Sequence, residues 1–595
     1  MKRRYLLAVI PFLITGCFFK DFGTVARPQI EEAAPDKNFV QTIGDVAPEW
    51  DNAIEMMVSG AGIVTGLDGN GGSTPPGDAR TVVFERLKRA KHEDPAAVLD
   101  NPDNAVVIVT GIVRPGVRRD ELIDVVITLP EGSKVKSLRG GVLLPTPLCS
   151  FASQSEVRDN LKESGYNVTS EGNKLLRGHD VVVAKGPIQA ALNGRGDESA
   201  ASDEPLKKAF VWKGGKLLDG RPMYLILKSE EQRYRVAEQV AVRLNETFHA
   251  GESAGTKVAA ARHKDQVAVA VPPRYRLNRP HYMRVVRAVP LNPPADVTRY
   301  VRELEDKLLK PETALAAAIK LEALGAPGVP VLKNALTSDY PLVRFAAAEA
   351  LAYLGNTAAA ETLARAAVEH PSLQAYALTA LASLDDALGV SKLEELLAAK
   401  ESELRYGAFR ALREGDPSND AVRGVWAKRA FLVHEVAPSS PSLIHLMTEG
   451  RAEVVLFGES PKLVAPFSLT AGPNITVTAR AGDKVATVSR FSPKSGGEPT
   501  HVQCSLNVAD ILRTLAEVGG TYPDTADMLQ KASDRKSLTC KLAFDALPQA
   551  VPIKKLATNA RTDPKMELEY DLLAEINAAE TPNLFAPSAD AGKRN

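Results

Sequence analysis

The chain has 595 residues, 44% of them hydrophobic and 25% charged, the composition of a globular protein long enough for roughly two to four domains. Lysine plus arginine equals aspartate plus glutamate at 73 each, so no global field draws the protein to nucleic acid. The nine histidines are scattered without an H-E-x-x-H motif, the cysteines lack C-x-x-C or mixed Cys/His spacing, and no carboxylate pair stands out. Neither a metal, a cofactor nor a catalytic constellation is expected.

At the N-terminus, Lys2-Arg3-Arg4 precedes an apolar run, Tyr5 to Leu13, too short to span a bilayer as a helix. The ending Ile14-Thr15-Gly16-Cys17 resembles a bacterial lipobox, which makes Cys17 the expected lipid-bearing residue. Residues 1–17 then read as a lipoprotein signal and 18–45 as a tether. The mature protein is expected to be exported to the periplasm and anchored to an envelope membrane, the outer one. Cys149, Cys504 and Cys540 remain in a compartment that permits disulfides, so an odd thiol is left over unless chains cross-link. Cys504 and Cys540, which flank one helical segment, are the candidate disulfide.

The run from Gly60 to Gly72 is punctuated by glycines spaced G-x-G-x-x-x-G and leads into Ser73-Thr74-Pro75-Pro76-Gly77. No helical pattern follows to receive a pyrophosphate, so a glycine-rich turn system is expected instead of a dinucleotide site. Asn104 to Val113 and Glu121 to Leu129 read as strands around the turn Arg114-Pro115-Gly116. A second glycine-bearing stretch runs Ser137-Leu138-Arg139-Gly140-Gly141-Val142-Leu143-Leu144-Pro145-Thr146-Pro147-Leu148.

Together, in this order, the two stretches resemble the flagellar P-ring protein family. That family carries G-x-G-L/I-V-x-G-L-x-G-x-G-D and later S-L-R-G-G-x-L-L-x-T-P-L. The resemblance implies an assembly role for Gly60, Gly62, Gly66 and Gly69 in the first stretch and for Ser137, Arg139, Gly140 and Gly141 in the second. Gly72 stands where the family has an acidic residue.

Further along, Asp180 to Ala184 continues the sheet, and 194–205 reads as a loop in which Arg195-Gly196-Asp197 is a chance tripeptide. Met223 to Leu227 is a short strand. Ser229 with Gln232 suggests a capping box opening a helix to about His249, with Ala237, Val240, Ala241, Leu244 and Phe248 on one face. Strands Thr256 to Ala261 and Gln266 to Val271 follow. Gly251-Glu252-Ser253-Ala254-Gly255 matches G-x-S-x-G, but a helix precedes it where a nucleophile elbow needs a strand. Ser133/Lys136 and Ser533/Lys536 match S-x-x-K without companion motifs and read as solvated turns.

From about 300 the composition turns to Ala, Leu and Glu. Ala314 to Gly325 is echoed by Val343 to Gly355, Leu373 to Asp385 and Leu404 to Asp416, with closing residues 30, 30 and 31 apart. Each unit reads as a helix, a turn and a second helix, resembling short HEAT-like repeats whose stacking would supply their core. After about 430 strands return, followed by helices from Asn507 and Pro523 and a strand near Leu538. Leu512, Arg513, Leu515, Gly519, Pro523, Met528, Leu529, Gln530 and Leu538 fit the C-terminal pattern of the P-ring family.

The expected fold class is therefore α+β: P-ring-like mixed β-rich regions at 46–295 and 440–550, interrupted by an all-α HEAT-like solenoid at 300–430, with 555–595 a disordered tail. The resemblance implies a non-enzymatic structural component of the flagellar basal body. Its expected partners are itself in a ring, the flagellar rod and the peptidoglycan layer, with a further protein on the helical repeats, a membrane through the lipid anchor, and no nucleic acid. The alternative is a lipid-anchored envelope scaffold that uses its repeats for protein–protein interaction.

Overall fold

The computed structural model describes residues 40–51, 55–153, 175–190, 207–248, 257–436, 440–448, 450–491, 499–566 and 580–586. Cys17, the tether up to residue 39, the Arg195-Gly196-Asp197 tripeptide and the G-x-S-x-G segment lie outside the described residues.

The first strands are β1 (Glu49–Asp51), β2 (Met56–Thr65), β3 (Asn104–Val113), β4 (Leu122–Thr128), β5 (Val142–Ser153), β6 (Leu175–Pro187), β7 (Gln189–Ala190) and β8 (Lys208–Leu217). β2 to β8 form one sheet in the order β4-β3-β2-β5-β6-β8-β7, and a further antiparallel pairing of β4 with β8 closes it into a barrel. Closure removes the free edges that such long strands would otherwise expose. Alternation decides the faces: Ala105, Val107, Val109 and Val113 of β3 fill the interior, while Val106 faces outward.

That outer face is covered by two helices, Asp78–Arg89 and Pro95–Asp100, whose Val83, Leu87 and Leu99 pack on Ala61, Ile63 and Val106. The helix at 78–89 corrects the expectation that none follows the glycine run. Val83 and Leu87, one turn apart, are its buried residues, with Ala79 and Phe84 partly buried beside them, a short stripe broken by charged residues and preceded by prolines. The glycine run itself is half strand, since residues up to Thr65 belong to β2. β2 pairs antiparallel with both neighbours, so no βαβ unit arises and the nucleotide reading stays excluded.

A second sheet joins β1 to β9 (Met223–Ile226), β10 (Ala259–Ala261) and β11 (Gln266–Val269) in the order β1-β9-β11-β10. The helix Tyr234–Thr247 lies on it through Ala237, Val240, Ala241 and Leu244. Its N-cap is Arg233, not the expected Ser229, because Ser229–Glu231 forms a separate 3-10 turn and the Gln232 amide donates to the Leu227 carbonyl at 3.3 Å.

The helical region follows. Pro311–Leu324, Pro341–Tyr353, Gln374–Ser383 and Ser402–Gly415 alternate with Val329–Ala335, Ala360–Glu369 and Ala387–Leu396. The repeat seen in the sequence is a repeat of helix endings: Gly325, Gly355 and Asp385 take φ of 79°, 76° and 49°, the left-handed stop that frees the chain to reverse. Asp416 breaks the series with φ −137° and leads out of the helices. Pro341–Tyr353 buries residues on nearly all sides, as a helix does between stacked neighbours.

The first repeat docks on the helix Arg279–Ala288 around a buried polar group. His281 Nε2 lies 2.8 Å from Glu322 Oε2, the Tyr275 hydroxyl donates to Glu322 Oε1 at 2.7 Å, and Tyr353 stacks on His281 at 4.3 Å. Burial pushes His281 down to about 4 and Glu322 up, favouring the uncharged form of each. One continuous core runs from Ile43 through the repeats to Phe457 and Phe585.

Past the helices come β12 (Gly424–Ala427), β13 (Phe431–Val436), β14 (Leu443–Leu446), β15 (Glu453–Phe457), β16 (Phe467–Ala471), β17 (Ile475–Ala479), β18 (Val485–Arg490), β19 (Thr500–Ser505) and β20 (Lys541–Phe544). They form a five-stranded sheet, β12-β13-β15-β14-β20, and a four-stranded antiparallel one, β16-β17-β18-β19, with helices Val508–Glu517 and Tyr522–Asp534 in the core they share.

Two expectations fail here. The described residues of the expected disordered tail, 555–566 and 580–586, are packed on the fold. The helix Ile553–Thr562 packs on Pro311–Leu324 with Leu556 and Ala560 buried, and Leu584 and Phe585 are buried with the Leu584 amide bonded to the Leu277 carbonyl. Ile553, Leu556, Ala557 and Ala560 follow the helical spacing, a single short stripe easily passed over in the sequence. Cys504 and Cys540 are free thiols. The segment at Lys462-Leu463 bridges to Asn507 on one side and to Leu538 on the other. Two strand spacings of about 4.8 Å each separate those flanks, beyond the reach of a disulfide.

Candidate assembly surface

The two glycine-bearing stretches are hydrogen-bonded neighbours. Thr65 lies opposite Val142 and Val64 opposite Leu143; the register then slips by one residue, and Ser59 and Val58 face Cys149 and Ser150. Gly60 and Gly62 occupy the slip. A Cβ on Gly60 would lie well inside van der Waals contact with the Pro147 carbonyl oxygen, and one on Gly62 would collide with the Thr146 side chain. Glycine is needed there because β5 crosses too closely for any side chain.

The turns beyond the strands are tied together as well. The Asn70 carbonyl accepts from the Lys136 amide at 2.8 Å, and Asp103 Oδ1 accepts from the Gly69 amide at 2.7 Å. Gly66 and Gly69 take φ of 80° and 81°. Gly72, at the family's acidic position, has φ 155°, and a Cβ would sit 3.3 Å from the Lys134 carbonyl oxygen.

In the second stretch Gly141 is packed under Val64 and Leu67, whereas Gly140 is exposed with φ 77°. Ser137 Oγ accepts from the Arg139 amide at 3.2 Å. Arg139 reaches the distant C-terminal helix and pairs with Asp524, itself the capping-box residue that accepts from Thr521 N at 2.8 Å and Thr521 Oγ1 at 2.7 Å. Gly472 leaves room for the pair, because a Cβ there would run into both partners. So Gly60, Gly62, Gly141 and Arg139 are engaged within the chain, and Gly66 and Gly140 are exposed.

Sequence reasoning missed a second junction between the barrel and the rest. An irregularity in β8 pairing lies at Trp212-Lys213, where Lys213 has φ 50° and its amide donates to Asp124 Oδ1 at 2.7 Å. Such a bulge re-aims side chains. Trp212 meets Tyr522 edge-on at 5.9 Å, and Lys213 Nζ lies 2.6 Å from Glu414 Oε1 of the last repeat helix.

Glu414 also pairs with Arg451, whose guanidinium lies 3.7 Å from Glu453; Tyr406 donates to Glu453 Oε1 at 3.0 Å, and His434 Nε2 is 3.5 Å from its other oxygen. His445 stacks on Tyr406 at 3.6 Å and accepts from the Ala546 amide at 3.1 Å. Burial alone would raise Glu414 and Glu453. The charges of Lys213 and Arg451 on the former, and the charge of Arg451 with the hydrogen bond from His434 on the latter, outweigh it and hold both carboxylates far below their usual range. Burial pushes His445 down to about 3. The one visible hint in the sequence is the ionic residues Arg451 and Glu453 heading an otherwise apolar strand.

Among the described residues no group of His, Cys, Asp and Glu is placed to hold a metal, and no helix is long and apolar enough to cross a membrane. The arrangement binds parts of one chain to each other.

Residues 43–157, from the first short helix through β5, match the model of the family described as flagellar P-ring protein. A flagellar P-ring protein of Escherichia fergusonii is 30% identical over 190 residues, which cover 31% of this chain and 46% of that protein. The chain thus spans about half the length of the curated relative it matches. Through the paired strands β2 and β5 and the turns that join them, this chain is similar to the flagellar P-ring protein family.

Proposed function

We propose that the chain is a P-ring-like structural component of the flagellar basal body, assembling as a ring around the rod at the peptidoglycan layer of the periplasm. The observation that carries this reading is the pairing of the family's two motif stretches, Thr65 on Val142 and Val64 on Leu143, at the heart of the matched region. Within the motifs the exposed Gly66 and Gly140 are the members open to a neighbouring subunit. In this reading the repeats contribute a docking surface for a further protein. The test is the size of the full-length protein extracted from envelopes in mild detergent, measured by light scattering, together with its recovery in purified basal bodies. Particles many times the protomer mass are expected. A protein that stays monomeric at high concentration and is absent from basal bodies would favour the lipid-anchored scaffold instead.

The membrane attachment proposed for Cys17 rests on the Ile14-Thr15-Gly16-Cys17 ending. A single acyl chain holds only marginally, so stable anchoring requires a multiply acylated cysteine. Mass spectrometry of the mature N-terminus is expected to find lipid on Cys17; cleavage elsewhere with an unmodified thiol would sink the assignment.

A further inference from the structure

The stretch Gly60 to Gly72 holds a single charged residue, Asp68, and Ser137 to Leu148 holds a single one, Arg139. Each is met by an opposite charge from the C-terminal part of the chain. Asp68 stands between Gly66 and Gly69 with φ 49°, a left-handed conformation that few side chains tolerate, and its Oδ2 lies 3.9 Å from Arg490 Nη2 at the end of β18. Arg139 pairs with Asp524 at the start of the helix Tyr522–Asp534. Both contacts run past a glycine. A Cβ on Gly519, which has φ 89°, would collide with the Arg490 guanidinium, and one on Gly472 would collide with Arg139 and Asp524 together. The C-terminal partners are themselves held, Arg490 by donating to the Val518 carbonyl and Asp524 by its capping box. All four of these residues, Gly472, Arg490, Gly519 and Asp524, lie outside the matched span 43–157.

We propose that Arg490 and Asp524 are positioning residues for assembly: through Asp68 and Arg139 they hold the two motif turns in the shape that a neighbouring copy of this chain recognises. This role rests on the ring-forming reading above and adds to it the part of the chain that shapes the contact. The geometry favours presenting the turns over hiding them. Gly66 and Gly140 stay exposed while both pairs are made; a Cβ on Gly66 would meet nothing within 4 Å, and one on Gly140 would come no closer than 3.9 Å to Thr521. Glycine-rich turns have many backbone shapes open to them, so a neighbour that had to freeze them on binding would lose affinity. Fixing them beforehand from within the chain removes that loss. The signs also select the docking. Asp68 would repel Asp524 and Arg139 would repel Arg490, so only one placement of the C-terminal part satisfies both turns.

The experiment uses full-length, detergent-extracted protein and reads oligomer mass against concentration, at a temperature where thermal melts show every variant folded. Arg490→Gln, at the more exposed of the two pairs, is expected to weaken association about tenfold, because the same loss recurs at every contact of a ring. Asp68→Asn, which keeps a residue type that tolerates the left-handed turn, is expected to do the same. The double variant should associate no more weakly than either single one, as holds for two residues that act through each other. If Arg490→Gln leaves the association of the folded protein unchanged or strengthens it, or if the losses at Asp68 and Arg490 add, the positioning role is overturned while the ring-forming reading stands. A wild type that does not assemble overturns the ring-forming reading, and this role with it.

Discussion

Replacing Glu453 by glutamine is expected to lower the stability of the full chain by about 3–5 kcal/mol, the cost of breaking a buried ion pair from one side. Glutamine keeps the size of the side chain and its bond from Tyr406 but removes the charge that faces Arg451 and His434. Arg451 is then left in the interior with Glu414 as its remaining carboxylate, and Glu414 is shared with Lys213. Because this group joins β8 of the barrel, the last repeat helix and β15, its loss should loosen all three together. Glu435→Gln is the control, since Glu435 pairs with Arg513 at the half-exposed surface and its loss should cost under about 1 kcal/mol. Chemical denaturation measures both; equal effects of the two substitutions would refute the assignment.

The same group fixes the direction of acid sensitivity. Glu414 and Glu453 are held below their ordinary values, so their contribution is present above the unfolded carboxylate range and is lost as pH falls from about 5 downward. His445, pushed down to about 3 by burial, acts in the same sense: the unfolded chain takes up its proton first, so stability declines between about pH 6.5 and 3. The Glu453→Gln variant should therefore show a shallower loss of stability in acid than the wild type, from a lower starting point.

How far the sequence could be read depended on whether the deciding contacts were local. The repeat endings at Gly325, Gly355 and Asp385 were visible because each helix carries its own stop signal, and the structure gives all of them positive φ. The valine and isoleucine content of Asn104–Val113 announced β3 for the same reason. Barrel closure was not legible, because β4 meets β8 some ninety residues later and nothing near either strand names the other. Arg139 was singled out by its motif, yet its partner Asp524 lies 385 residues away. The helix Asp78–Arg89 was missed since two buried residues suffice to seat it on a preformed barrel. Local pattern cannot report a face that exists only after the sheet has closed.

The glycines of the motifs separate folding from assembly, and the larger effect is expected inside the barrel. Gly60→Val would drive a Cβ into the Pro147 carbonyl oxygen, a backbone atom held in place because Pro147 lies in β5, paired opposite Val183 of β6. Overpacking of an ordinary core site costs about 1–3 kcal/mol, and a clash with backbone at a register slip should reach or exceed the top of that range. Gly66→Ala meets nothing within 4 Å and suffers only the strain of φ 80°, about 1 kcal/mol. The expected result is a Gly60→Val protein that unfolds well before the wild type as a monomer, and a Gly66→Ala protein that melts close to it. Denaturation at concentrations below assembly separates the two. If Gly60→Val left monomer stability unchanged and abolished only the oligomer, the close crossing of β2 and β5 would be a subunit contact and its role in the fold would have to be given up.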